Sequence, residues 1–227
     1  TPVLKTLHQI PNQLQQLAQE RETTIRLNVL AASTLVTQAL ISYKKDHDGL
    51  NFQLFQNSQC EDADITVFTR ENFQIPAGNK DRYELFKERI FLAVPADSPY
   101  ASEESVRLKD FAHQDFISLS GSRSIRTICD RYCMQAGFVP HIIYESDSPD
   151  TVKNLIASGL GVGFWPHYTW STDSMEQIRL MPIAEPTCQR AIILQLHRHA
   201  RVQEAVCSFY AFLNRYLRQL KAAEKTG

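Results

Sequence analysis

Apolar residues along this chain recur at helical spacing first and at strand spacing next. Leu7, Ile10, Leu14 and Leu17 fall three, four and three residues apart in a Gln-rich opening, Thr1 to Glu22. That spacing predicts a helical seam with a kink or a fresh start at Pro11. From Thr24 the period drops to two, because Ile25, Leu27 and Val29 alternate with polar residues as a strand does. Ser33 and Thr34 then read as N-caps of a helix with Val36, Ala39, Leu40 and Tyr43 on one face, stopping at the Asp46-His47-Asp48-Gly49 turn. Strands follow at Leu50 to Phe55, Asp64 to Thr69 and Arg89 to Val94, the last closed by Pro95.

Beyond Pro99 the alternation starts again. A short helix at Leu108 to Ala112 leads to a strand at Phe116 to Leu119. The Ser120-Gly121-Ser122 loop then opens a helix with Ile125, Ile128, Cys129, Tyr132 and Ala136 inward, ended by a left-handed Gly137. His141 to Glu145 is a strand, Ser148-Pro149-Asp150 caps a helix ending at Gly159, and Val162 to Trp165 is a strand stopped by Pro166. Further strands are expected at Ile178 to Ile183 and Ala191 to Leu196. A last helix should bury Val202, Ala205, Val206, Phe209, Leu213, Tyr216, Leu217 and Leu220.

Two runs of alternating strand and helix predict an α/β protein of two Rossmann-like lobes joined by two crossover strands, with ligand in the cleft beyond the strand ends. The expected division is 1–22 as the end of a linker helix, 23–95 plus 194–227 as lobe I, and 96–193 as lobe II.

Composition narrows the function. With 43% hydrophobic and 22% charged residues over 227 positions, the chain can bury a core. Its 24 Lys+Arg balance 25 Asp+Glu, so DNA binding by this chain alone is not expected. No apolar run approaches the ~18 residues that span a bilayer, and Gln and Glu occupy the opening where a signal peptide would be greasy; a cytoplasmic chain without membrane partners is expected. Five cysteines without a CxxC read as reduced, mostly buried thiols.

Several motifs decline the chemistry they suggest. Gly159-x-Gly161-x-Gly163 follows a helix and enters a strand, the reverse of a dinucleotide loop, and reads as a tight turn with close backbone packing. Ser42-x-x-Lys45, Ser146-Asp147-Ser148 and Lys225-Thr226-Gly227 mimic penicillin-binding motifs in unsuitable contexts. His197-x-His199 lacks a third metal ligand at suitable spacing. No nucleophile, metal or cofactor site is expected, and the chain is not read as an enzyme. What remains is short polar residues at two helix starts, Ser33 and Thr34, and Ser120, Gly121, Ser122 and Arg123, where free amides favour an anion.

The residues resemble the effector-binding region of LysR-type transcriptional regulators over nearly the whole chain. The resemblance rests on Ile25-Arg-Leu-Asn-Val-Leu-Ala-Ala-Ser33 and on Glu88-Arg-Ile-Phe-Leu-Ala-Val-Pro-Ala-Asp-Ser-Pro-Tyr-Ala101. It continues through Leu108-Lys-Asp-Phe111, Gln135-Ala-Gly-Phe-Val-Pro140 with Glu145, and Leu155-Ile-Ala-Ser-Gly-Leu-Gly-Val-Gly-Phe-Trp-Pro166. It implies a fold like the type 2 periplasmic binding proteins and an effector pocket at Ser33, Thr34, Thr69, Ser120, Gly121, Ser122, Arg123, Gly163 and Phe164, with Asp147 a further candidate. It also implies a small-molecule effector, for which those helix-start amides favour an anion, a homodimer that becomes a tetramer in the full-length protein, and promoter DNA bound through an N-terminal domain missing from this chain. The helix the family carries between its second and third strands is here reduced to Asn57 to Ala63. A transporter's solute-binding protein is the alternative.

Overall fold

Ile25, Leu27 and Val29 are buried in strand β1 (Thr24–Val29), and the chain then turns at Ala32 into helix α1 (Ser33–Lys44). The computed structural model describes residues 24–56, 60–120, 124–170 and 175–223, so the Thr1 to Glu22 seam lies outside the described residues. Strands β2 (Asn51–Phe55) and β3 (Ile65–Arg70) both run parallel to β1, with Leu27 opposite Leu54 on one side and Ile65 on the other. Of the Asn57 to Ala63 link, Cys60 to Ala63 is described, and the Ala63 N–H closes it on the Cys60 carbonyl at 3.3 Å.

The chain forms two compact units, 1–68 with 75–84 and 193–227, and 69–74 with 85–192. Strands β4 (Arg82–Pro95) and β11 (Gln189–Leu196) each run from one unit into the other. In the first unit the sheet order is β2-β1-β3-β11. Helix α4 (Glu204–Ala223) packs Phe209 against Tyr43 and Phe52, at 5.0 Å between ring centroids in both cases, while the Tyr43 hydroxyl donates to Ser208 Oγ at 2.9 Å. Burying aromatic edges on faces in this way adds to the area term.

In the second unit, β5 (Val106–Arg107), β6 (Asp115–Leu119), helix α2 (Ser124–Gln135), β7 (His141–Ser146), helix α3 (Pro149–Ala157) and β8 (Gly163–Pro166) follow in order. Strand β6 is parallel to β7 and bridges Val162 in the same sense. Strand β4 is antiparallel to β8 and to β9 (Ile178–Met181). Helices α2 and α3 end on Gly137 (φ 90°) and Gly159 (φ 76°). In each, the following amide reaches back across the last turn, Phe138 to Cys133 and Leu160 to Leu155, which satisfies terminal carbonyls.

Three expectations need correction. Ser33 and Thr34 are not N-caps: Ala32 takes that place in a left-handed conformation (φ 57°) with no side-chain cap bond, and Ser33 is the first helical residue. The Ile178 to Ile183 strand is two strands, because Pro182 lacks an amide to continue the ladder and its carbonyl turns to Val106, opening β10 (Ile183–Glu185) beside β5. Val202 is 89% exposed, because a 3₁₀ turn over Arg198–Val202 breaks the period before α4 begins.

Candidate functional site

The second unit places a cluster of polar groups at the start of α2. Strand β6 is held to β7 at its exit, where the Ser120 amide donates to the Ser146 carbonyl at 2.9 Å. Thr69, at the end of β3 and 1% exposed, meets Ser124, the first residue of α2, with their hydroxyl oxygens 2.8 Å apart. Two turns on, Arg131 bonds Glu71 at 3.1 Å, so the segment beginning at Thr69 is tied to α2 at two heights.

Beside this helix start lies a pit of about 10 Å³, lined among others by Ser118, Ile125, Arg126, Cys129, Phe164 and Trp170. That is room for about one water molecule. The pit therefore admits one small group of a ligand and not a whole metabolite. Phe164 forms its apolar wall and stacks on Phe116 at 5.8 Å. Gly163 is required for the packing behind it: a Cβ there would stand 2.8 Å from the Ile117 carbonyl oxygen and 2.8 Å from Ile156 Cδ1. At Gly161 the Asp115 carbonyl would be 2.6 Å away. The glycine run is thus the close helix-to-strand turn its position in the sequence suggests.

Arg126 is the pit's cation, and it is already engaged. Its Nε donates to both Asp130 oxygens at 2.9 and 2.7 Å, and its Nη1 donates to Glu145 Oε1. A positive charge in the first turn opposes the helix dipole, and the two carboxylates offset that.

The pocket residues inferred from the sequence divide as follows. Thr69, Gly163 and Phe164 are buried in the second unit, Ser120 is half-buried at the β6 exit, and Asp147 is exposed on the bend before α3. Ser33 and Thr34 are exposed on the first turn of α1 in the first unit. Gly121, Ser122 and Arg123 lie outside the described residues. Sequence reasoning passed over Ser118, Ser124, Arg126 and Trp170. Only Arg126 left a signal there, a cation at a helix start with an acid four residues later.

The thiols and histidines have other employment. Cys129, Cys133 and Cys188 are buried, and burial pushes the Cys133 and Cys188 thiols up to about 12 and Cys129 well above its ordinary value. In the first unit, His197 Nε2 pairs with Thr66 Oγ1 at 2.8 Å and its ring lies 5.7 Å from that of His199. Among the described residues no group of three or more His, Cys, Asp or Glu is placed to hold a metal. No helix among them is long and apolar enough to cross a membrane.

Residues 18–218 match the LysR substrate binding domain. Among curated proteins the chain is 27% identical over 188 residues to the uncharacterized HTH-type transcriptional regulator YybE of Bacillus subtilis, covering 79% of this chain and 63% of that protein. It is 23% identical over 230 residues to the transcriptional dual regulator GltC of Bacillus subtilis, covering 96% of this chain and 75% of that one. The chain thus spans about two thirds to three quarters of these relatives. Among solved structures, the effector-binding domain of QuiR in complex with shikimate superimposes with a TM-score of 0.68 at 18% identity, covering 86% of this chain and 97% of that one. The regulatory domain of CcmR from Synechocystis PCC6803 in complex with 2-PG gives 0.72 at 15% identity, covering 85% and 96%. These structures share the two-lobed α/β fold of the periplasmic-binding-protein kind, as the alternation of strands and helices predicts. With the match extending over most of its length, the chain belongs to the LysR substrate-binding domain family.

Proposed function

We propose that this chain is the sensing part of a LysR-type regulator and that it binds a small anionic metabolite. The observation that carries the reading is the start of α2, where the Thr69 and Ser124 hydroxyls meet next to the β6 exit at Ser120, beside a pit walled by Phe164. Helix-start amides favour negative charge, and hydroxyls orient it. QuiR with shikimate and CcmR with 2-PG support the reading as domains of the same fold that hold small metabolites. The relatives named above are regulators, and nothing among them supports the transporter alternative or an enzyme.

The reading assigns Thr69, Ser120, Gly121, Ser122, Arg123, Gly163 and Phe164 in the second unit to the effector, with Asp147 at its margin, and Ser33 and Thr34 in the first. It takes 23–95 with 194–227 and 96–193 as the two functional lobes. It further places the protein in the cytoplasm as a homodimer, tetrameric at full length, that contacts promoter DNA through an N-terminal part. No cofactor is invoked.

A melting-temperature screen against carboxylates, phosphate esters, amino acids and neutral aromatics tests this, because a ligand bound only by the folded chain raises the melting point. A saturable rise with an anionic class supports the reading. A rise confined to cations or neutral compounds overturns it.

A further inference from the structure

Strand periodicity puts Glu88 on the same face of β4 as Phe86, Ile90 and Leu92, and Arg190 on the same face of β11 as Ile192 and Leu194, all buried. A charge on each of two apolar faces must find a partner, and these find each other. Arg190 Nε donates to Glu88 Oε2 at 2.7 Å, with Glu88 0% and Arg190 4% exposed in their side chains. The remaining acceptor sites of the carboxylate are filled by one turn that follows β8. The amides of Tyr168 and Thr169 donate to Glu88 Oε1 at 3.0 and 2.7 Å. The Thr169 hydroxyl donates to Oε2 at 3.1 Å and accepts from Arg190 Nη2.

This cluster stands at a junction. Glu88 and Arg190 lie just inside the second unit on the two strands that run on into the first. The turn they hold ends in Trp170, which lines the pit and meets Trp165 edge-on at 4.9 Å. Two more bonds fix the turn to β4, His167 N–H to the Arg89 carbonyl and Tyr168 hydroxyl to the Lys87 carbonyl, both at 3.1 Å. A buried ion pair alone is weak support for stability, since desolvation cancels much of the attraction. A carboxylate that also organises a backbone turn through two amides and a hydroxyl does something a hydrophobic pair could not.

We propose that Glu88, Thr169 and Arg190 form a positioning clamp that sets the Trp170 wall of the effector pit against the two strands leaving the unit, so that occupancy of the pit and the state of those strands are linked. The link to ligand rests on the reading of the pit as part of the effector site; the clamp itself does not. Glu88 and Arg190 are 102 residues apart in sequence and are brought together only by the fold.

Trp165 and Trp170 are the chain's two tryptophans, so near-ultraviolet circular dichroism and tryptophan emission read this wall directly. The test compares the parent with Glu88→Gln, Thr169→Val and Thr169→Ser, and titrates each with inorganic phosphate as the probe anion. Thr169→Ser keeps the hydroxyl and should keep the parent's spectra and phosphate response. Thr169→Val and Glu88→Gln should lose the tryptophan dichroism band, shift emission to the red and bind phosphate about ten-fold more weakly, an equivalent of ~1.4 kcal/mol. If Glu88→Gln does not fold, the Thr169 pair decides. Parent-like spectra in Thr169→Val overturn the clamp. Phosphate that fails to bind the parent excludes phosphate as the group the pit takes, and the spectra still decide the clamp.

Discussion

The hydroxyl of Thr69 lies 2.8 Å from that of Ser124, so two side chains from separate stretches of sequence are joined by one hydrogen bond at the start of α2. One hydroxyl of the pair donates to the other, which keeps its own proton for a further acceptor such as a ligand oxygen. Thr69→Val keeps the shape and removes the bond. Because Thr69 is buried, the variant should lose about 1 kcal/mol of stability in urea unfolding, the usual net worth of such a bond. Unchanged stability would mean that the pair is not formed in solution.

Close backbone approach at the glycine turn makes a sharper prediction. Gly161→Ala and Gly163→Ala each drive a Cβ into a carbonyl oxygen of β6 and should cost roughly 1–3 kcal/mol, the range for overpacking. Gly49→Ala meets nothing within 4 Å and should be near neutral, which makes it the control. Equal melting temperatures for all three would contradict the packing of β8 on β6.

Where sequence and structure agree, the signal was local. Period two in β1, the glycine ends of α2 and α3, and the Ser148 cap, whose Oγ accepts from the Thr151 amide at 3.4 Å, are set by neighbours a few residues away. Where they part, a distant contact prevails. Ser33-Thr34 carries a strong capping signal, yet the Leu30 amide bonds the Val67 carbonyl at 2.8 Å and the chain turns at a left-handed Ala32 before the helix starts. Glu88 and Arg190 could be placed on apolar faces by period alone, but their pairing depends on how β4 and β11 fold together. In the candidate site, the close packing at Gly163 was readable from the glycine run. Trp170 was not readable, and Arg126 was only as a cation at a helix start with an acid four residues later, because what makes them wall residues is packing between elements.

Acid should weaken the first unit in two stages. Burial lowers the pKa of His197 below 6.5, only partly opposed by the Asp81 charge, so the folded form binds its proton less readily than the unfolded chain. Stability from this group is complete above about 6.5 and is lost as pH falls below it. Burial raises the Asp81 pKa, but hydrogen bonds from Gln195 Nε2 and the Arg198 amide, together with His197, hold it below 3.8. Its contribution persists until pH falls beneath that value. Melting curves should therefore drop between about pH 7 and 5 in the parent and less steeply in His197→Gln. A parent whose melting point rises over that interval would contradict the assignment.

Burial separates the thiols. Cys129, Cys133 and Cys188 are buried with raised pKa values, whereas Cys60 and Cys207 are half-buried. Since the thiolate is the reactive form, iodoacetamide at neutral pH should label Cys60 and Cys207 in the native chain and the other three only after denaturation. Mass spectrometry of native and unfolded protein checks this, and rapid native labelling of Cys133 or Cys188 would count against the packed second unit.

The central claim is that this chain holds an anionic effector through the hydroxyls and amides of the assigned residues. Calorimetric titration of the compound that most raises the melting point, into the parent and into Ser120→Ala, Ser122→Ala and Arg123→Ala, tests it most directly. Losing a hydrogen bond to a charged group costs roughly 1.5 to 3 kcal/mol, so affinity should fall about ten-fold or more in each variant while the fold stays intact. Parent-like binding in all three would contradict the account.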